Sequence, residues 1–95
     1  YIHYAGSKAA VEGFTIGLAK EFADRGIRAN VVSPGTTDTE IHALSGEPGR
    51  AERVAPKIPM RRAGDPREIA EAIAWMLSDK ASYVTGAVLR VAGGL

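Results

Sequence analysis

Apolar residues recur at four-residue intervals near the start of the chain: Ala10, Phe14, Leu18 and Phe22, with Val11 and Thr15 beside them. That period matches one face of an α-helix and predicts a helix over 2–25. Gly26, directly after Asp24-Arg25, supplies the stop, because glycine enters the left-handed conformation that closes a helix. Inside the helix Gly6, Gly13 and Gly17 each cost about 1 kcal/mol relative to alanine. Close approach of another backbone or of a ligand would offset that cost; a slightly weakened helix held by its neighbours is the alternative. Next, Ile27-Arg28-Ala29-Asn30-Val31-Val32-Ser33 reads as a strand whose end is set by Pro34-Gly35, since proline donates nothing to a ladder and glycine permits a sharp exit.

The following stretch, Thr36-Thr37-Asp38-Thr39-Glu40, is polar and leaves the carboxyl end of that strand. Residues 41–64 are punctuated by Gly46, Pro48, Gly49, Pro56, Pro59 and Gly64 and read as a loop excursion, with a short helix around 49–57. Arg50, Arg53, Arg61 and Arg62 make it locally basic; solvated surface and contact with an anionic substrate are both open readings. Asp65-Pro66-Arg67-Glu68 is a helix start, with Asp at the N-cap, Pro at the first position and Glu at the third. Ile69, Ile73, Met76 and Leu77 form the stripe expected to be buried, with Trp75 at its edge and the helix ending around Ser78–Asp79. Thr85-Gly86 turns the chain into a second strand over 87–92, closed by Gly93-Gly94.

The order is helix, strand, loop, helix, strand. Strands joined through a helical crossover are expected to be parallel, with a right-handed connection. Parallel sheets are covered on both faces and extended by further strands; two strands alone leave an open edge and a thin core. The expectation is therefore the C-terminal part of a doubly wound α/β domain. A start at Tyr1 rather than Met suits a fragment or a processed product.

Composition narrows the chemistry. The 95 residues are 45% hydrophobic and 24% charged, ordinary for a soluble globular chain, and the net charge of +1 gives no electrostatic case for nucleic-acid or membrane-surface binding. With no cysteine, disulfides, thiol catalysis and cysteine-metal sites are excluded. No apolar run reaches membrane-spanning length and no secretory signal pattern occurs, so a cytoplasmic setting is expected.

Two residues carry candidate chemistry. Tyr4 and Lys8 stand four apart, on one helix face and one turn from each other. An ammonium beside a phenol favours the phenolate and makes a proton-transfer group of a weak acid. Bringing a phenol from its ordinary value of ~10 close to neutrality needs about 4 kcal/mol. A cation about 4 Å away at an effective dielectric of about 20 supplies an amount of that order. An isolated Tyr-x-x-x-Lys is more often a surface pair, so its context decides. That context includes a polar loop at the carboxyl end of a strand, where open parallel sheets bind ligands; turn and capping chemistry is the other use of threonines there.

Tyr4-x-x-x-Lys8, the run Asn30 to Gly35 (NVVSPG), Thr39 four residues after Gly35, and the ending YVTGAVLRVAGG occur in one order along the chain. Together they resemble the short-chain dehydrogenase/reductase family, over essentially all 95 residues. The resemblance implies a Rossmann fold, NAD or NADP as cofactor, and a small-molecule alcohol or carbonyl substrate. Tyr4 would act as general acid and base, and Lys8 would lower its pKa and bind the nicotinamide ribose. Pro34, Gly35, Thr37 and Thr39 would face the nicotinamide and phosphates. Residues 40–64 match the variable substrate loop, and helix 2–25 matches the element packed in a four-helix dimer interface, implying a homo-oligomer (dimer or tetramer). Gly6, Thr37 and Ala92 depart from the usual Ala, bulky aliphatic residue and Asp. The family's Gly-rich phosphate turn and substrate-binding serine are not in this sequence, so the 95 residues alone are expected to be inactive. Two alternatives remain: a non-catalytic module that associates through helix 2–25, and, within enzymes, a 3-oxoacyl-acyl-carrier-protein reductase.

Overall fold

The computed structural model describes residues 2–35 and 53–95. Helix α1 spans Ile2–Phe22 and runs on as a 3-10 turn, Ala23–Arg25, one turn short of the expected α-helix end. Gly26 closes it at φ 76°, the left-handed cap that its position predicts. Strand β1 is Val31–Pro34, helix α2 is Pro66–Leu77 and strand β2 is Val88–Val91. The strands pair parallel, with Val31 opposite Val88 and Pro34 opposite Val91. A parallel pair joined through a helix is a part of a Rossmann-type α/β fold.

β1 is shorter at its start than the expected 27–33, and side chains are the reason. Ala29 donates its N–H to the Thr85 hydroxyl (3.1 Å). The Asn30 amide donates to the Val84 carbonyl and accepts from the Ala87 N–H, both at 2.9 Å. One backbone bond, from the Gly86 N–H to the Ala29 carbonyl (2.8 Å), sits among these, and from Val31, whose N–H meets the Ala87 carbonyl, the regular ladder takes over. At the other end β1 includes Pro34 rather than stopping before it. Val31 and Gly35 both donate toward β2, so by alternation Pro34 turns its nitrogen away, where no ladder donor is needed. Across the same junction, the Arg28 guanidinium donates to the carbonyls of Met76, Val84 and Ser78 at 2.9, 3.2 and 3.3 Å. A cation there meets the negative end of α2 and satisfies carbonyls left over at its close.

α2 begins as expected. The Asp65 carboxylate accepts from the Arg67 N–H (2.8 Å), and Glu68 reaches back to the Asp65 N–H (2.9 Å), completing a capping box. Its stripe is only half buried, a departure from expectation: Met76 is buried, but Ile73 is 43% and Leu77 78% exposed. A two-stranded sheet is too narrow to cover the stripe. The short helix expected around 49–57 is described only at its end, where Ala55–Lys57 forms a 3-10 turn.

The buried apolar residues among those described are Ala19, Ile58, Met76 and Ala81. The expected apolar stripe of α1 is only partly covered: Leu18 and Phe22 are half-buried, but Phe14 is 70% and Val11 57% exposed. The inward face also carries Lys8, Glu12, Thr15 and Ala19. Ala19 lies against Gly86, where an added Cβ would sit 3.4 Å from its methyl. Gly6, Gly13 and Gly17 face open space.

Two measurements follow. Arg28→Met should destabilise the protein by roughly 2 kcal/mol, because it strips charged donors from three carbonyls at the junction of α2 and the turn before β2. A urea midpoint equal to the wild-type one would remove the clamp from the account. The second concerns Glu68, whose carboxyl is held at about 2 by two bonds from Arg62 (2.6 and 2.9 Å), then by the Asp65 N–H. A carboxyl depressed on folding stabilises above its unfolded value, near 4.5, and that contribution is lost as pH falls toward 2. Glu68→Gln should therefore lose less melting temperature than wild type between about pH 4.5 and 2. Parallel curves would mean that solvent screens the pair completely.

Candidate active site

Tyr4 and Lys8 are built into the first two turns of α1, on one face and one turn apart. Across from them lies the carboxyl half of β1. Helix and strand enclose an open groove of about 300 Å³, lined by Tyr4, Lys8, Val32, Ser33 and Pro34 among others. Beyond the pair, toward β2, a second groove of about 380 Å³ is lined by Tyr4, Lys8, Glu12, Ser33, Val88 and Arg90. Tyr4 and Lys8 therefore form a ridge between two grooves. Tyr4 is 60% exposed while Lys8, one turn further along the same face, is half buried.

Pro34 presents its apolar ring to the first groove. Gly35 stands one residue further, with its N–H donated to the Val91 carbonyl (2.9 Å). An added Cβ on Gly35 would lie 2.7 Å from the Ala92 Cβ and 2.9 Å from its Cα, so close approach to β2 requires glycine here, beyond the sharp exit read from the sequence. Thr37 and Thr39 lie outside the described residues. The structure thus brings Tyr4, Lys8 and Pro34 to one groove and places Gly35 at its end.

Three further residues of the site are missing from the sequence reading. Glu12, half buried, continues the Tyr4–Lys8 face by another turn and lines both grooves; the unbroken four-residue step was a usable signal. Ser33 is 5% exposed, and its hydroxyl accepts from the Arg90 guanidinium at 3.1 Å. Arg90 is the cross-strand partner of Ser33, and a lone cation between Leu89 and Val91 in an apolar strand is its mark. Among the described residues no three His, Asp or Glu side chains gather as a metal site, and no helix is long and apolar enough to cross a membrane.

Known proteins share this arrangement of sequence and backbone. The family model described as "Enoyl-(Acyl carrier protein) reductase" matches residues 1–95. An uncharacterized oxidoreductase of Escherichia coli (strain K12), YgfF, is 55% identical over 94 residues, covering 99% of this chain and 38% of that protein. Glucose 1-dehydrogenase 2 of Bacillus subtilis (strain 168) is 43% identical over 94 residues, covering 99% and 36%. The crystal structure of 3-oxoacyl-[acyl-carrier protein] reductase from Brucella melitensis superposes with a TM-score of 0.87 at 40% identity, over 98% of this chain and 34% of that one. The chain spans less than two-fifths of the length of each of these proteins.

Proposed function

The chain belongs to the short-chain dehydrogenase/reductase family, and from that premise we propose that it supplies the acid–base side of an NAD- or NADP-dependent oxidoreductase that interconverts an alcohol and a carbonyl. The observation that carries this reading is the shared groove: Tyr4, Lys8 and Pro34 line one cleft at the carboxyl end of a parallel strand. The residues suit a nicotinamide nucleotide. Lys8 brings three N–H donors for the hydroxyls of a ribose, and Pro34 brings an apolar wall for a flat ring. Gly35, Thr37 and Thr39 continue the chain from that wall and belong to the proposed cofactor side.

When bound, the nicotinamide supplies or accepts the hydride. Tyr4 handles the proton. In the oxidising direction its phenolate takes the proton from the alcohol oxygen, and in the reducing direction its hydroxyl returns one to the carbonyl oxygen. Lys8, one turn along the same face, is the neighbouring positive charge that a phenolate oxygen requires. The family's Gly-rich phosphate turn and substrate-binding serine are not among these 95 residues. The substrate is a small alcohol or ketone; relatives carry names as different as glucose 1-dehydrogenase and 3-oxoacyl-[acyl-carrier-protein] reductase.

The outward face of α1 fits a partner of its own kind. Gly6, Gly13 and Gly17 open onto free space and lie beside exposed Phe14. Such a face lets a second helix come close, so the proposed assembly is a homo-oligomer through α1.

Tyr4→Phe, made in the protein at its natural length, should lower kcat/KM by about 10²-fold or more while leaving nicotinamide nucleotide binding in place. Turnover is followed by nicotinamide absorbance over sugars, polyols, steroids and oxoacyl thioesters. A Tyr4→Phe variant with wild-type rates would end the assignment of Tyr4. Gly17→Leu should shift the sedimentation profile toward smaller species by blocking close helix approach; an unchanged profile would place the interface elsewhere.

A further inference from the structure

The groove on the β2 side of Tyr4 has a chemistry of its own. Arg90 reaches it from the third residue of β2, and its guanidinium is fixed at two points. Nη1 donates to the Ser33 hydroxyl at 3.1 Å, and Nε donates to the backbone oxygen of Leu95 at 3.0 Å. Ser33 is itself buried, so the first anchor is rigid. Nη2 has no hydrogen-bond partner among the described residues. A planar fork held by two bonds, with one edge free, is arranged to receive an acceptor.

Charge sets which acceptor. The charged side chains lining this groove are Lys8, Glu12 and Arg90. None of the three is ion-paired with another, so neither the charge of Lys8 nor the free edge of Arg90 is neutralised by Glu12. Two cations against one carboxylate leave a single positive charge, which suits a monoanion and opposes a second negative charge. Tyr4 lines the same groove, so a molecule held there by Arg90 shares that space with the phenol. The space of about 380 Å³ is that of a small ligand.

We propose that Arg90 and Lys8 form a carboxylate subsite next to Tyr4, and that the alcohol or ketone acted on there is a hydroxy- or oxo-acid. The proposal rests on the reading of Tyr4 as the acid–base residue and narrows its substrate class. Arg90 binds the carboxylate with its free edge, Lys8 adds the second charge, and Glu12 keeps dianions out. The hydroxyl or carbonyl at the other end of the molecule then falls to Tyr4. Ser33 acts through Arg90, as its anchor.

The test uses 3-hydroxybutyrate and its methyl ester, which differ in the charge and one methyl, with the protein at its natural length. Binding is read by ligand-observed NMR, so it does not depend on turnover. The wild type should bind the acid at least about tenfold more tightly than the ester, the size expected of a charged hydrogen bond. Arg90→Gln should remove that preference without weakening the ester, Arg90→Lys should keep part of it, and Glu12→Gln should increase it. The Glu12 variant sits on α1 and is informative even where a change in β2 disturbs folding. Equal binding of acid and ester by wild type, or a preference that survives Arg90→Gln, overturns the subsite. Binding of neither molecule overturns it as well. Tyr4→Phe separates the two ideas: loss of turnover with the acid preference intact supports both, whereas retained turnover removes the role of Tyr4 and leaves the subsite standing.

Discussion

Arg28 and Asn30 join the lead-in of β1 to the end of α2 and to the turn before β2, and the parallel pairing follows from that junction. Two strands of four residues make too few ladder bonds to fix their own register. The Asn30 amide acts as one more rung, giving and accepting a bond in the place of a backbone unit. Arg28 gathers three carbonyls from separate parts of the crossover. Because all of these partners lie about fifty residues away in sequence, the junction also sets where Ser33 and Pro34 stand relative to α1. The groove beneath Tyr4 inherits its shape from this side-chain knot.

The first turns of α1 present polar side chains to the sheet where an ordinary surface helix presents apolar ones. The inward face carries Lys8 and Glu12 over the sheet, while Phe14 and the glycines look outward. The arrangement makes sense for a helix with two tasks. Polar groups are needed where a ligand meets the strand ends, and small residues are needed where another helix approaches. The cost is visible in the small core, which among the described residues holds two alanines, one isoleucine and one methionine.

Much of this was legible in the sequence where the signal was local. The Asp65–Glu68 box, the Gly26 stop and the end of α2 near Ser78 each rest on a few adjacent residues with a definite backbone preference. The parallel pairing followed from the order of elements. Tyr4 and Lys8 were legible as a pair because helical spacing alone puts them together. What escaped depends on contacts between distant segments. Nothing in the run IRANVV marks Arg28 as a clamp, since its partners lie at residues 76, 78 and 84. Gly35 read as a turn residue, and its approach to Ala92 needs the sheet to be seen. The stripe on α2 was read correctly as apolar and wrongly as covered, because periodicity shows which face avoids water but not whether a neighbour is there to shield it. Arg90 shared that fate in reverse, a charge in a strand whose role appears only once Ser33 is opposite it.

The C-terminal turn has a consequence for how this protein can vary. Gly35 rests on Ala92, and Met60 donates its N–H to the Gly93 carbonyl at 3.0 Å. Gly35 and Met60 therefore stand on the same short turn, each held by a contact of its own. Closing a longer stretch between anchored ends costs little entropy, about 0.6 kcal/mol for each doubling of length. A change of length between these two anchors therefore costs little through chain closure, while Tyr4 and Lys8, on a separate element, stay where they are.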